Sequence, residues 1–551
     1  MAFLSSVESF LAFLMQGSFV LRWLGEVFGL RTATVDLTRT SIVDLREGLD
    51  KGYFSAKYLV KAYIKRIEEL NPRVCAISQI NPDALDIARE RDEERKVGRS
   101  YGLLHGIPIV VKDLFLTTDK LESSNGCSGL SRARPKFEAT TIGLLRDQGA
   151  ILLGKTAAMQ WANYRSPGQA PGGWSAVGGQ CLAPYHENLD PSGSSSGSDV
   201  ATSLGMAAAS SGTETDGSLS SPAQRSCVVS LKPTVGLTSR HGVYPVSEWQ
   251  DTVGVIAQTV KDAALVLTAI AAPDEEDPHT ISDERDAEGN MRPPQGTDIT
   301  QACRDNTLEG TRIAVPRHLL ENEKNDVVDG AFDEALKQLE NLGATIVDNV
   351  KFTEFDKDLS YSDADDWMIS FRLGRRENMK RFLANYDVNP HGLHTLADVM
   401  NYTRDTLEEM NEKWGMKELE KCEELAKTYS IDSDEYRNSL NWRNRIGGQI
   451  SELLSRSSTD MLVVPSSLDA SANVGGCPTV GVPLEFFPEN QAITTGRSSG
   501  LVTNGPRVPF GLMFVGKRWD DEKMISAAYA FEQASRVREK GQQIFSSDTK
   551  L

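Results

Sequence analysis

The order of elements predicts an α/β protein in which a large, mixed, twisted β-sheet is covered by α-helices on both faces. Two observations lead there. Short apolar runs of strand character recur at residues 105–113, 150–155, 312–316, 461–465 and 478–483, and they alternate with amphipathic helical stretches, as in a sheet buried on both sides. The composition, 40% hydrophobic and 25% charged with 45 glycines, is that of a turn-rich globular enzyme and excludes a disordered or fibrous chain.

Taken in order, the first element is helical. From Phe3 to Leu30 apolar residues recur at helix spacing, interrupted by Glu8, Gln16, Arg22 and Glu26. The longest uncharged run, Ser9 to Leu21, is 13 residues, too short to span a bilayer, and no basic leader precedes it. Residues 1–34 are therefore expected to form an amphipathic apolar helix. It would pack on the body, mediate a homodimer, or rest peripherally on a membrane, although between Phe3 and Leu30 Arg22 is the single base available for a membrane-facing polar rim. Residues 35–545 are expected to form a single catalytic domain. It opens with helices from about Thr40 and Ser55, the second stopping at Asn71-Pro72, and a highly charged helix over 85–97. Residues 273–300 read as an exposed acidic connector. Residues 355–456 read as a helical, cap-like region rich in aromatics such as Trp367, Phe371, Tyr402, Trp414 and Trp442.

Charge and cysteine content narrow the class. With 59 basic and 77 acidic residues the formal charge is −18, which repels phosphate backbones and anionic headgroups, so nucleic acid is not an expected partner. Seven scattered cysteines without a CxxC pair disfavour a disulfide framework and a structural zinc, and point to a reducing, cytoplasmic setting. His391 and His394 form an HxxH pair without a Glu partner, so neither a metal nor a cofactor is expected.

The stretch that stands out is Asp190-Pro191-Ser192-Gly193-Ser194-Ser195-Ser196-Gly197-Ser198, followed by Gly212-Thr213-Glu214-Thr215-Asp216-Gly217-Ser218-Leu219-Ser220-Ser221-Pro222. Read alone, such Ser/Gly runs are flexible loops, and no following lysine makes either a phosphate loop. Their company changes the reading. Gly106-Ile107-Pro108-Ile109-Val110-Val111-Lys112 is an apolar strand that ends in a lysine. The three segments together resemble the amidase-signature family of serine hydrolases, which pairs such a lysine with a Gly-Ser-Ser-Gly-type loop and a nucleophile in a Thr-Asp-x-Gly-Gly-Ser-type turn. The family's two serines lie 24 residues apart, as Ser194 and Ser218 do. The similarity extends to Leu231–Leu237, Asp251-Thr252-Val253-Gly254, Phe510-Gly511-Leu512 and Ala527–Ala534, and so covers nearly the whole chain. Glu214, Asp216 and Ser220 depart from the commoner residues. With Trp161–Ser166 and Gly173-Trp174-Ser175, they resemble the branch that contains peptide amidase and plant and fungal amidases.

The resemblance implies the amidase-signature fold and an amidase that cleaves a carboxamide C–N bond through a serine acyl-enzyme. Ser218 is implied as nucleophile, Ser194 as a proton relay following a cis peptide bond, and Lys112 as the base. Backbone N–H groups of Thr215, Asp216, Gly217 and Ser218 are implied as an oxyanion hole. The chemistry asks for these types. A serine hydroxyl needs a base, and a lysine serves when burial lowers its pKa from about 10.4. Pocket walls are expected from residues 127–131, 161–189 and the 355–456 region, with Cys127, Ser128 and Trp174 as candidate contacts to a small-molecule or peptide amide. The competing readings are an acyl-transfer subunit resembling that of tRNA-dependent amidotransferases, a silent scaffold that kept the fold, and nucleophilic attack by Cys127.

Overall fold

The computed structural model describes residues 35–281, 292–320, 324–353, 365–465, 473–549 and 551, so the helix expected over residues 1–34 lies outside it. Eleven strands form one sheet: β1 (Ile77–Ile80), β2 (Pro108–Lys112), β3 (Ile151–Thr156), β4 (Ala209–Glu214), β5 (Val229–Lys232), β6 (Thr252–Ala257), β7 (Arg312–Val315), β8 (Thr345–Asp348), β9 (Met461–Pro465), β10 (Thr479–Phe486) and β11 (Pro509–Gly516). Their spatial order is β1, β3, β2, β4, β6, β5, β10, β11, β9, β7, β8. β2 runs parallel to β3 and β4, and β7 parallel to β8 and β9. The pairs from β4 through β6, β5, β10 and β11 to β9 are antiparallel, which makes the sheet mixed. Every residue of β2, β3, β4, β5, β6, β9 and β11 is buried, and in β2, β3, β9 and β11 that burial on both faces goes with largely apolar runs without alternation.

Helices cover both faces. α1 (Ile42–Asp50) starts on a reciprocal cap in which the Ser41 hydroxyl accepts from the Asp44 N–H and the Asp44 carboxylate accepts from the Ser41 N–H. α2 (Ala56–Val74) runs past the expected stop at Asn71-Pro72. Pro72 sits in the last turn, where its missing N–H forfeits a single bond, and Asn71 holds both the N–H and the carbonyl of Ile77. The charged α3 (Ala84–Lys96) packs against α2 and β3. α4 (Ser196–Ser203) and α5 (Ser220–Ser226) pack on each other, α4 over β2 and β4 and α5 over β5, β10 and β11. α6 (Val260–Ile270) packs on β5 and β6 beside a later C-terminal helix, Asp521–Ser535, that covers β10 and β11. One apolar core runs between these layers from Leu37 to Leu551.

Between β8 and β9 come α7 (Asp365–Leu383), α8 (Leu396–Asp405), α9 (Lys417–Leu425) and α10 (Asp434–Gly447). They build a second apolar cluster, in which Phe371, Met379, Phe382, Val399 and Leu419 meet Leu114, Leu130, Trp161 and Tyr244 of the sheet-bearing body. A buried ion pair crosses that junction. Arg165 Nη1 lies 3.2 Å from Glu409 Oε2, with the two side chains 2% and 0% exposed. Glu409 also accepts from Gln160, and from the N–H and hydroxyl of Ser128 at 2.8 and 2.7 Å. Removing one partner of such a pair strands the other charge, so Glu409→Ala is expected to cost about 3–5 kcal/mol in denaturant unfolding.

The acidic segment expected to be an exposed connector is docked where it is described. Asp277 is buried and accepts from the Arg240 guanidinium at 2.7 and 2.8 Å, while Asp274 accepts from Thr140 and Ser239. Its middle, 282–291, lies outside the described residues. Among the described residues no helix is long and apolar enough to cross a membrane.

Candidate active site

Lys112 ends β2, an interior strand with parallel neighbours on both sides and α4 packed over it. It is fully buried. Its Nζ lies 2.8 Å from Ser194 Oγ, 2.9 Å from Ser195 Oγ, 2.9 Å from Thr213 Oγ1 and 3.3 Å from the Thr213 carbonyl. Ser194 Oγ in turn lies 3.1 Å from Ser218 Oγ. The two serines arrive from opposite ends of α4 and β4. Ser194 sits in the loop that leads into α4, where the Gly193–Ser194 peptide is cis, and Ser218 sits in the turn that joins β4 to α5. Backbone bonds hold that spacing. The Ser195 N–H donates to the Ser218 carbonyl at 3.1 Å, and the Met159 N–H donates to the Ser194 carbonyl at 3.1 Å. The line Lys112, Ser194, Ser218 is therefore a hydrogen-bonded chain from a buried amine to a nearly buried hydroxyl.

A neutral Lys112 amine is compatible with the oxygens around it. The Ser195 hydroxyl donates to the Thr213 carbonyl at 3.1 Å, so its oxygen is free to accept from Lys112, as is Thr213 Oγ1. A neutral amine has two N–H donors for these acceptors and one lone pair left for the Ser194 hydroxyl. Burial pulls Lys112 down to about 7, against the carboxylates of Asp199, Glu214 and Asp251, which act the other way. Burial also pushes the Asp199 carboxyl well above the usual range, and both its oxygens lack a hydrogen-bond partner among the described residues.

The turn after β4 is organised by a carboxylate whose role the sequence did not disclose. Glu214 Oε2 accepts from the N–H of Leu219 at 2.7 Å, the N–H of Ser220 at 3.0 Å and the Ser220 hydroxyl at 3.3 Å. It thereby wraps the chain around Ser218. Gly217 has a φ of +71°, a left-handed conformation that a side chain would strain. The Thr215 hydroxyl donates to Asp251 at 2.6 Å, and Asn473 donates to Asp216 at 3.3 Å, which turns the Asp216 carboxyl toward Asn473. Burial, reinforced by Glu214, raises that carboxyl to about 7. Among the described residues the N–H groups of Thr215, Asp216, Gly217 and Ser218 have no protein acceptor. Glu214→Ala is expected to leave two backbone N–H groups buried and unpaired, at about 1–3 kcal/mol of stability. It should also lower kcat about tenfold or more through misplacement of the turn. Glu214→Gln, which keeps one acceptor oxygen, should recover part of both in parallel unfolding and rate measurements.

The expected contact residues lie to one side. The loop 124–131 is tied to the end of β2, since Ser124 and Gly126 donate their N–H groups to Asp113 at 3.0 and 3.3 Å. Cys127 is sealed against Glu409, its thiol pushed well up by burial. The Ser128 hydroxyl is donated to Glu409. Trp174 is nearly buried, with the Arg165 guanidinium 5.5 Å from its ring and Trp414 at 5.9 Å. A cavity of about 470 Å³ opens against Thr213 and Thr215 and is walled by Tyr244, Asn378, Phe382 and Asn385. Thr213, Ser195 and Asp251 lie inside the segments singled out in the sequence but had no role assigned there, and Asn473 lies outside them. The one signal for Thr213 and Ser195 is their adjacency to the serine motifs.

Comparison with known proteins adds a family. A model described as Amidase matches residues 58–525. A protein of Arthroderma benhamiae with amidase in its given name is 40% identical over 515 residues, 92% of this chain and 83% of its own. The X-ray structure of native peptide amidase from Stenotrophomonas maltophilia superposes with a TM-score of 0.78 at 33% identity, over 92% of this chain and 99% of its own. A glutamyl-tRNA(Gln) amidotransferase subunit from Thermoanaerobacter pseudethanolicus is 28% identical over 93% of this chain and 99% of its own.

Proposed function

Because this chain belongs to the amidase family and is an amide-hydrolysing enzyme with a Ser-Ser-Lys triad, we propose that Ser218 attacks the carbonyl carbon of a linear carboxamide. The observation that carries the assignment is the unbroken chain from Lys112 Nζ through Ser194 Oγ to Ser218 Oγ, at 2.8 and 3.1 Å. As the Ser218 oxygen bonds to carbon, its proton passes to Ser194, whose own proton passes to Lys112. The carbonyl oxygen, now negative, is held by the N–H groups of the Thr215–Ser218 turn. Each such donor is worth about 2.7–4 kcal/mol at the transition state. Lys112 then returns a proton through Ser194 to the nitrogen, the C–N bond breaks, and the amine or ammonia leaves. Water attacks the acyl-enzyme by the reverse proton route and releases the carboxylic acid.

The substrate is a small-molecule or peptide amide. The cavity against Thr213 and Thr215 has the volume of a small-ligand site, and its wall on α7 comes from the region expected to cap the pocket. Cys127, Ser128 and Trp174, the expected substrate contacts, are not among that cavity's lining residues and meet Glu409, Arg165 and Trp414 at the helical region. A fluorophosphonate probe tests the assignment. Stoichiometric labelling of Ser218 in the folded protein, blocked by a carboxamide substrate, is the expected result. Labelling at Cys127, or none in protein that turns over amides, would remove Ser218 from the mechanism. Product masses from a panel of primary amides, peptide amides and N-acyl amides would then name the acyl and amine sides.

A further inference from the structure

A second cavity, of about 480 Å³, lies on the far side of the 246–250 loop, with Trp249, His279, Arg443 and Arg518 in its wall. Its charge is unusual for a protein that carries −18 overall. Neither Arg443 nor Arg518 has a carboxylate within ion-pair distance among the described residues, whereas the neighbouring Arg240 is forked onto Asp277. Arg443 is 7% exposed, donates to its neighbour Asn444 at 3.0 Å, and has no hydrogen-bond partner for Nε and Nη1. Arg518 spends one N–H on the Val235 carbonyl at 3.2 Å. The carboxylate in the wall, Glu452, is engaged with Thr353 at 2.8 Å and Gln449 at 3.0 Å, and Arg456 stands 3.8 Å from it. Glu248 acts on Arg443 from the side without pairing to it.

A buried guanidinium with unpaired donors is costly unless an anion completes it. Here the cost falls on the half of the fork that has no protein acceptor. An apolar face accompanies the charge. The Arg443 guanidinium lies 5.2 Å from the Trp249 ring centre, and His279 meets the same ring edge-on at 5.2 Å. Burial and the nearby Arg240 hold His279 down at about 4, so at neutral pH it is an uncharged donor or acceptor in the wall. The floor is built by two backbones in contact. A Cβ on Gly475 would fall 2.5 Å from the Gly447 carbonyl oxygen, so only glycine lets the end of α10 seat Arg443 against this segment. Two residues before Gly475, Asn473 donates to Asp216 in the catalytic turn.

We propose that this cavity binds an oxyanion, the carboxylate or phosphate group of a small molecule, held by Arg443 and Arg518 with the indole of Trp249 against its apolar part. Guanidinium is the group suited to forked recognition of either anion. The site is distinct from the Ser218 machinery and does not depend on the amidase assignment, because binding is read without turnover.

The test is titration of the full chain with inorganic phosphate and, separately, benzoate, at constant ionic strength with chloride as control, by calorimetry and by melting temperature. Saturable one-to-one binding with a rise in melting temperature is expected in wild type and equally in Ser218→Ala. Arg518→Gln, on a half-buried side chain, should weaken it about tenfold or more, the loss of a charged hydrogen bond. Arg443→Gln should abolish the anion-dependent rise while raising the anion-free melting temperature. Arg404→Gln, on an exposed helix elsewhere, should change neither. Phosphate that raises KM for a carboxylate-bearing amide at constant kcat assigns the site to the substrate's acid end, and binding without that effect assigns it to a free anion. Responses no larger than those to chloride, or equal affinity in Arg443→Gln and Arg518→Gln, would overturn the proposal.

Discussion

Ser218→Ala is expected to lower kcat on the order of 10⁵-fold with little change in KM, and to abolish fluorophosphonate labelling. The size follows from what remains. Without the hydroxyl no acyl-enzyme forms, and the turn's N–H donors and the bound substrate supply the residual acceleration over water, about 10³–10⁴-fold. Ser194→Ala should be almost as severe, because its oxygen is the sole bridge in the observed chain between Ser218 and Lys112. The double variant should be little worse than the worse single one, as expected of residues that act as a unit. Burst kinetics with a chromogenic amide would separate loss of acylation from loss of deacylation. Equal, additive losses would show that Ser194 acts independently of Ser218.

Lys112→Met is expected to remove nearly as much activity and to carry a distinctive pH signature. In wild type the base must be neutral. With its amine at about 7, kcat/KM should rise roughly tenfold per pH unit below that value and level off above it. Stability moves with the same group. The folded-state pKa, about 7, lies below the ordinary 10.5, so the unfolded chain binds more protons between those values and stability rises with pH across that window. The penalty is fully present below pH 7. Methionine cannot take a proton, so the melting temperature of the variant minus that of wild type should grow as pH falls from 10 to 6. A flat difference, or a kcat/KM that ignores pH between 6 and 9, would show Lys112 charged or solvated. Lys112→Arg, which keeps a permanent charge in the same pocket, should be both inactive and destabilised.

β2, β3, β9 and β10 were legible because both-face burial favours apolar runs, whereas β4, Ala-Ser-Ser-Gly-Thr-Glu, is wholly buried without one and was not. The triad was legible only through the company of three motifs, since Ser218 alone looks like one more loop serine. The partners that set its electrostatics were not legible. Thr213 meets Lys112 because β4 pairs with β2 across about 100 residues of chain, and no local pattern announces which strand will be the neighbour. Glu214 reads as a variant residue, and its use as a clamp emerges only when β4 ends and the chain doubles back over it. α2 outruns its expected stop because Pro72 falls in a final turn that tolerates it. The charged cavity joins residues 443 and 518 from separate segments, and each is an ordinary arginine until both are seen to lack an acid among the described residues.

The strand order also governs how the chain is made. β10 and β11 lie in the centre of the sheet yet are among the last strands synthesised, so β1 to β6 can pair while the open edge of β5 waits for residue 479. During that interval β5, wholly buried in the finished sheet, offers unpaired backbone of the kind that recruits another chain. Lys112, Ser194 and Ser218 are all on the ribosome's early product. A nascent chain cut before residue 479 therefore carries every atom of the triad on an unfinished sheet, and is expected to depend on chaperones or to aggregate despite containing the complete catalytic set.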